Sequence, residues 1–181
     1  MSELLRNAHI SYIKWDMNRP MTDVCSHISQ YSTEVAHRYM LGLYRVLDVI
    51  TSRYPDVLFE GCSSGGARFD PGILCYMRQN WASDNTDALD RSVIQDSFSL
   101  LYPQSVIGAH ISAVPNHQTG RITSLETRYD IAKLFNLGYE LDLTKCTDDE
   151  LDDIKKQIQE YKTIRKETLN GELHALECDE N

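Results

Sequence analysis

The sequence lacks most of what a nucleic acid, a membrane or an oxidising compartment would demand. Its 181 residues carry 18 Lys and Arg against 27 Asp and Glu, a formal charge of −9, with no basic stripe. Affinity for a phosphate backbone comes mainly from Lys and Arg releasing counterions, so nucleic acid is excluded as an expected partner. No window approaches the roughly eighteen uninterrupted apolar residues of a membrane span. Met1 to Ala8 (MSELLRNA) has neither the basic nor the apolar region of a signal peptide. A soluble, cytoplasmic chain without a membrane partner is the expectation. Five cysteines (Cys25, Cys62, Cys75, Cys146, Cys178) form an odd set without a CxxC pair. That fits neither a disulfide framework nor a zinc knuckle and points to a reducing compartment. There is no internal repeat, low-complexity tract or linker.

What is present is ordinary globular material, 41% hydrophobic and 25% charged, enough for one domain or part of one. The charge is uneven, with 10 Lys and Arg against 12 Asp and Glu up to Arg121, and 8 against 15 beyond it. A shift in composition near residue 142 marks the expected end of a core.

Periodicity predicts strands and helices in alternation. His9 to Trp15 reads as a short strand, with Ile10 and Tyr12 on one face and Ile13 and Trp15 on the other. Two apolar faces suggest burial on both sides of a parallel sheet. Residues 18–30 form a loop broken by Pro20. A helix is expected from Ser32 to about Arg53 on the repeat of Val35, Tyr39, Leu43, Val46, Leu47 and Ile50. Further strands are expected at residues 56–60, 77–81, 106–112 and 138–141. Ser83 to Asp87 opens a helix whose expected apolar face is Leu89, Val93, Ile94 and Leu101. A short helix spans residues 125–135. Thr147 and Glu150 form a capping-box pattern ahead of a stripe of Leu151, Ile154, Ile158 and Tyr161. Such alternation implies an α/β fold with a parallel sheet of βαβ units. Asp16, Cys62, Asp84 and Asn116 all lie just after a predicted strand, where barrels and open α/β sheets place their active sites.

Two carboxylates at the carboxyl ends of parallel strands are what glycoside hydrolysis requires. One attacks or stabilises the anomeric carbon; the other protonates the leaving oxygen. Asp16 and Asp84 meet that requirement, although an aspartate after a strand also serves as a helix cap or turn residue. Lys14 shares a face with Asp16, favours its ionised form and can bind a sugar hydroxyl, or else snorkels away from the strand end. Trp15 and Trp81 are either platforms for a sugar ring or core residues. The turn CSSGGAR has neither GxxxxGK[ST] nor GxGxxG, so Gly65 and Gly66 serve to bend the backbone close to a ligand or a strand. No Cys-His-Asn arrangement accompanies Cys62, which reads as a buried or sugar-contacting thiol. His110 and His117 lack the face-sharing spacing of HExxH and read as hydrogen-bonding residues. The acidic run from Asp148 to Asp153 suits a helix N-terminus.

Four blocks in order, YIKWDMNR, EGCSSGGARFDPGIL, WASDNTDALDR and GAHISAVPNHQTGR, resemble the signature blocks of the α-galactosidases of glycoside hydrolase family 36. The resemblance implies a (β/α)8 catalytic barrel, flanked in that family by an N-terminal β-sandwich and a C-terminal β-domain and often tetrameric. It implies removal of terminal α-1,6-linked galactose from melibiose, raffinose and stachyose with retention and without a cofactor. Carried over by motif, Asp16 resembles the nucleophile and Asp84 the acid/base, while Lys14, Asn18, Cys62, Gly65 and Trp81 resemble residues lining the galactose subsite. The five strands then correspond to barrel strands four to eight, a partial TIM barrel. Residues 1–145 would be the C-terminal half of the barrel, and 146–181 its last helix and the start of a truncated β-domain. Family members typically exceed 700 residues, so the chain is expected to be a fragment, Met1 an internal methionine, and the isolated chain weakly active or inactive. A homo-oligomer is expected of the full-length enzyme. Two alternatives remain open: a sugar-binding module without activity, and a galactosyltransferase of the raffinose-synthase type.

Overall fold

The computed structural model describes residues 1–18, 22, 24–28 and 31–174. They divide into two compact units, residues 1–81 and residues 82–181, each built around its own strands.

The first unit holds α1 (Ser2–Asn7), β1 (Tyr12–Trp15), α2 (Val35–Arg53), β2 (Leu58–Gly61) and β3 (Gln79–Trp81). β1 pairs with β2 and β2 with β3, all in parallel. The pairing continues one step beyond the strands, where Cys62 N donates to Trp15 O at 3.1 Å and Met17 N to Cys62 O at 3.2 Å. Residues alternate across this sheet. Ile13, Trp15 and Phe59 face a core made with Leu47 and Ile50 of α2 and with Ile73 and Met77 of the loop before β3. Tyr12, Lys14, Glu60 and Gln79 belong to the other phase, which is polar. β1 is therefore not apolar and buried on both faces as its sequence suggests; Tyr12 is 46% exposed, and His9 to Ser11 lie outside the strand. The expected helix from Ser32 begins as a 3-10 turn, Ser32–Glu34, and becomes α-helical at Val35. α1 was not legible from periodicity; Leu5 packs on the core, and the Tyr54 hydroxyl donates to Ser2 O at 3.0 Å. The expected loop over residues 18–30 falls partly outside the described residues.

The second unit holds α3 (Ala88–Ser99), β4 (Ile107–Ser112), α4 (Leu125–Ala132), β5 (Asn136–Glu140) and α5 (Asp148–Asn170). β4 and β5 pair in parallel with His110 opposite Gly138. Ile107, Ala109 and Ile111 of β4 are fully buried. Gly138 is required here, because a Cβ at that position would come within 2.6 Å of the His110 ring.

α3 corrects the expected apolar face. Leu89 and Val93 are 45% and 67% exposed, and Leu101 beyond the helix is 80% exposed. The buried side carries Ala88, Arg91 and Gln95 instead. Arg91 donates to Gln95 Oε1 at 3.0 Å, Ser83 O at 3.1 Å and Gly108 O at 2.6 Å, and Gln95 donates to Ile131 O at 3.1 Å. Each buried polar group is thereby satisfied, which is the condition for burying it at all. α5 opens as its sequence predicts, with Thr147 and Glu150 completing a capping box. Ile154 of its stripe is buried, and Tyr161 donates to Phe135 O at 2.7 Å. The expected β-domain after this helix falls mostly on residues 175–181, outside the described residues.

Candidate active site

In the first unit, the polar phase of the sheet gathers Lys14 and Asp16 at the end of β1, Glu60 and Cys62 at the end of β2, and Trp81 at the end of β3. Asp16 is the first residue after its strand. Its Oδ1 accepts from Met17 N at 2.9 Å and its Oδ2 from Asn18 Nδ2 at 2.8 Å. Burial acts to raise the Asp16 pKa. Hydrogen bonds from the Cys62 thiol, Asn18 and the Met17 N–H, with the charge of Lys14, outweigh it and hold the carboxyl below the ordinary aspartate value. The same contacts act oppositely on Cys62. Burial, and then the bond to Asp16, push its thiol up against the lowering effect of the Gly65 N–H. Cys62 is thus a buried thiol at the carboxylate and not an activated nucleophile. Gly65, at φ +83°, holds a conformation that L side chains rarely adopt.

Lys14 lies 3.5 Å from Glu60 Oε1 and 4.8 Å from the centroid of the Trp81 ring. Trp81 is buried, so its ring forms wall beneath the ammonium. Trp15 takes the core alternative, its ring 6.3 Å from that of Phe59. Glu60 was missed from sequence. It is 2% exposed, and its Oε2 accepts from the Tyr12 hydroxyl and from Gln79 Nε2, the latter at 3.1 Å. The parallel register sets Lys14 beside Glu60 and Glu60 beside Gln79. The available signal was its phase: a charged residue two before Cys62 in an otherwise apolar strand.

In the second unit, Asp84 sits exposed on the bend between residues 82 and 87. The residues behind it are clamped. Thr86 O accepts from Ser112 Oγ at 2.8 Å, Thr86 Oγ1 from Asn116 Nδ2 at 3.0 Å, and Thr86 N donates to Gln118 Oε1 at 3.2 Å. Asp87 caps α3, accepting from Leu89 N and Asp90 N. It also accepts from Thr119 Oγ1 at 2.7 Å and from Arg121 Nη1. Asn116 is therefore a buried anchor of this loop. His110 pairs with Glu140 at 3.3 Å.

Residues 1–171 match the melibiase family. The chain belongs to that family. It is 54% identical over 178 residues to α-galactosidase AgaA of Geobacillus stearothermophilus and 50% identical over 180 residues to α-galactosidase Mel36A of Lactobacillus acidophilus. The alignments cover 97% and 98% of this chain but 24% and 25% of those proteins. The chain thus spans about a quarter of the length of these melibiase relatives. The crystal structure of AgaA, a GH36 α-galactosidase, superposes with a TM-score of 0.90 and 56% identity over 94% of this chain and 24% of its own. The α-galactosidase of Lactobacillus brevis gives a TM-score of 0.90 at 50% identity, covering 94% of this chain and 23% of its own. The fold is accordingly that of a partial (β/α)8 barrel, as expected. AgaA variants in which an aspartate is replaced have been solved with raffinose and with stachyose.

Proposed function

We propose that this melibiase chain supplies the nucleophile and the acid/base of a retaining α-galactosidase acting on raffinose-type oligosaccharides. The observation that carries the reading is the state of Asp16, an exposed carboxylate at a strand end whose neighbours all favour the ionised form. A nucleophile that must attack an anomeric carbon has to be unprotonated and aimed, and the surrounding donors serve both needs. Asp84 is the complementary group, on a loop whose backbone is held from behind while its own side chain is left exposed. In the first step Asp16 forms a bond to the anomeric carbon as the glycosidic bond breaks, and the Asp84 proton passes to the leaving oxygen. In the second, water gives a proton to Asp84 and its oxygen to the anomeric carbon, which releases Asp16. Lys14, Asn18, Cys62, Gly65 and Trp81 would line the galactose subsite. Support comes from the relatives, named as α-galactosidases, and from the AgaA complexes with raffinose and stachyose.

The test is release of nitrophenol from p-nitrophenyl α-galactoside by the purified chain beside Asp16→Asn. Hydrolysis that falls by at least about a thousandfold in the variant is expected of a lost nucleophile. Equal, measurable rates in both proteins would remove Asp16 from the mechanism.

A further inference from the structure

The turn after β2 contains a strained residue that the α-galactosidase reading leaves unused. Ser64 has φ +48°, a left-handed conformation that costs a non-glycine residue about 1 kcal/mol or more. The consequence of that conformation is directional. Ser64 N donates to Asn18 Oδ1 at 3.0 Å, and Ser64 Oγ donates to the same oxygen at 3.2 Å. A backbone N–H can only donate, so the Asn18 atom facing it is the carbonyl oxygen and the amide NH2 must occupy the other end. That NH2 is the group 2.8 Å from Asp16 Oδ2. Next to it, Ser63 Oγ donates to Met17 O at 2.7 Å, on the peptide that follows the one whose N–H reaches Asp16 Oδ1.

We propose that Ser64 and Asn18 are positioning residues for Asp16: the strained Ser64 backbone fixes which way the Asn18 amide points, and the amide fixes the Asp16 carboxylate. This assignment rests on the reading of Asp16 as the nucleophile. Without the Ser64 N–H the Asn18 amide could rotate and set its oxygen against the carboxylate, where two acceptors repel. Among the described residues, the other titratable groups around Asp16 are Lys14 and Cys62, with Glu60 ion-paired to Lys14 and Arg68 donating to Trp15 O and Cys62 O.

The experiment is a carboxyl 13C NMR titration of the 181-residue chain, with the Asp16 signal assigned by its loss in Asp16→Asn. In the wild-type chain Asp16 should titrate below the ordinary aspartate value of about 3.9. Asn18→Ala should move it upward, and Asn18→Asp further still, because the isosteric change replaces a donor by a second negative charge. Ser64→Gly retains the N–H and should leave Asp16 low. Asp87, whose own titration is depressed by contacts within the other unit, reports in the same spectra that that unit is folded, and the methyl shifts of the core residues Leu47 and Ile50 report it for the unit that holds Asp16. An Asp16 titration unmoved by both Asn18 variants while Asp87 stays depressed overturns the proposal, as does an ordinary wild-type value. No substrate enters the measurement. A titration that responds as expected beside hydrolysis that survives in Asp16→Asn would keep the hydrogen-bond assignment, the Ser64–Asn18 latch, and remove the nucleophile reading, and hydrolysis lost in Asp16→Asn beside an unmoved titration would do the reverse.

Discussion

Among single residues, the informative ones are charged groups whose neighbours decide their protonation. Asp87 illustrates how the loop behind Asp84 is held. Burial acts to raise its pKa, but Thr119, the Asp90 and Leu89 N–H groups and the charge of Arg121 outweigh it and keep the carboxyl below the ordinary aspartate value. A folded-state pKa below the unfolded one contributes stability that is fully present above the unfolded value and is lost as pH falls through the folded one. Asp87→Asn keeps an N-cap acceptor and removes the charge, and Arg121 is 40% exposed, so about 1 kcal/mol is the expected loss at pH 7. That gap should close as the pH is lowered through 4 and below, measured as urea midpoints of the two proteins. A gap of the same size at pH 7 and pH 3 would show that the charge plays no part. At this scale the sequence reading put Lys14 on the face of Asp16 because alternation in a strand places every second residue on one side. It missed Glu60 because a lone glutamate gives no hint of the hydroxyl and amide that hydrogen-bond it. Nor did it detect the latch, which depends on a positive φ at a serine.

Elements were legible to the extent that burial of apolar residues was their cause. α2 carries a period strong enough to be placed within about three residues of its start and at its end, and Thr147 with Glu150 closes the capping box of α5 as the spacing demands. α3 was placed but turned the wrong way. Counting apolar residues gave Leu89, Val93, Ile94 and Leu101 the inner face; of these Ile94 is half-buried, whereas the helix docks through Arg91 and Gln95, which satisfy carbonyls of the bend, β4 and α4. Burial pushes the Arg91 guanidinium down to about 10, with Glu140 acting in the opposite direction. Truncating it strands three hydrogen-bonding partners and leaves a hole, so Arg91→Ala should cost about 3 kcal/mol. Val93→Ala, on the exposed face, should stay within about 0.5 kcal/mol. Thermal unfolding of both variants decides between the two faces. A larger loss at Val93 than at Arg91 would restore the apolar-face reading.

For the whole molecule, the alternation of strand and helix was enough to imply a parallel α/β sheet, and the superposition on the α-galactosidases extends that to part of a barrel. The roles of two aspartates drawn from different units are a question of chemistry that sequence distance leaves open. Chemical rescue separates them. With p-nitrophenyl α-galactoside the nitrophenolate departs without needing a proton, so loss of the acid spares the first step. In Asp16→Gly, azide can enter the space of the missing carboxylate and attack the face opposite the leaving group, which yields β-galactosyl azide. In Asp84→Gly, Asp16 still forms its β-linked galactosyl intermediate, and azide then attacks from the vacated acid/base side, which yields α-galactosyl azide. The anomeric proton of each product reports which occurred. Opposite configurations from the two variants are expected if Asp16 is the nucleophile and Asp84 the acid/base of a retaining site. The same configuration from both, or the two reversed, would assign the roles otherwise, because the face that azide attacks is the face from which the carboxylate was removed.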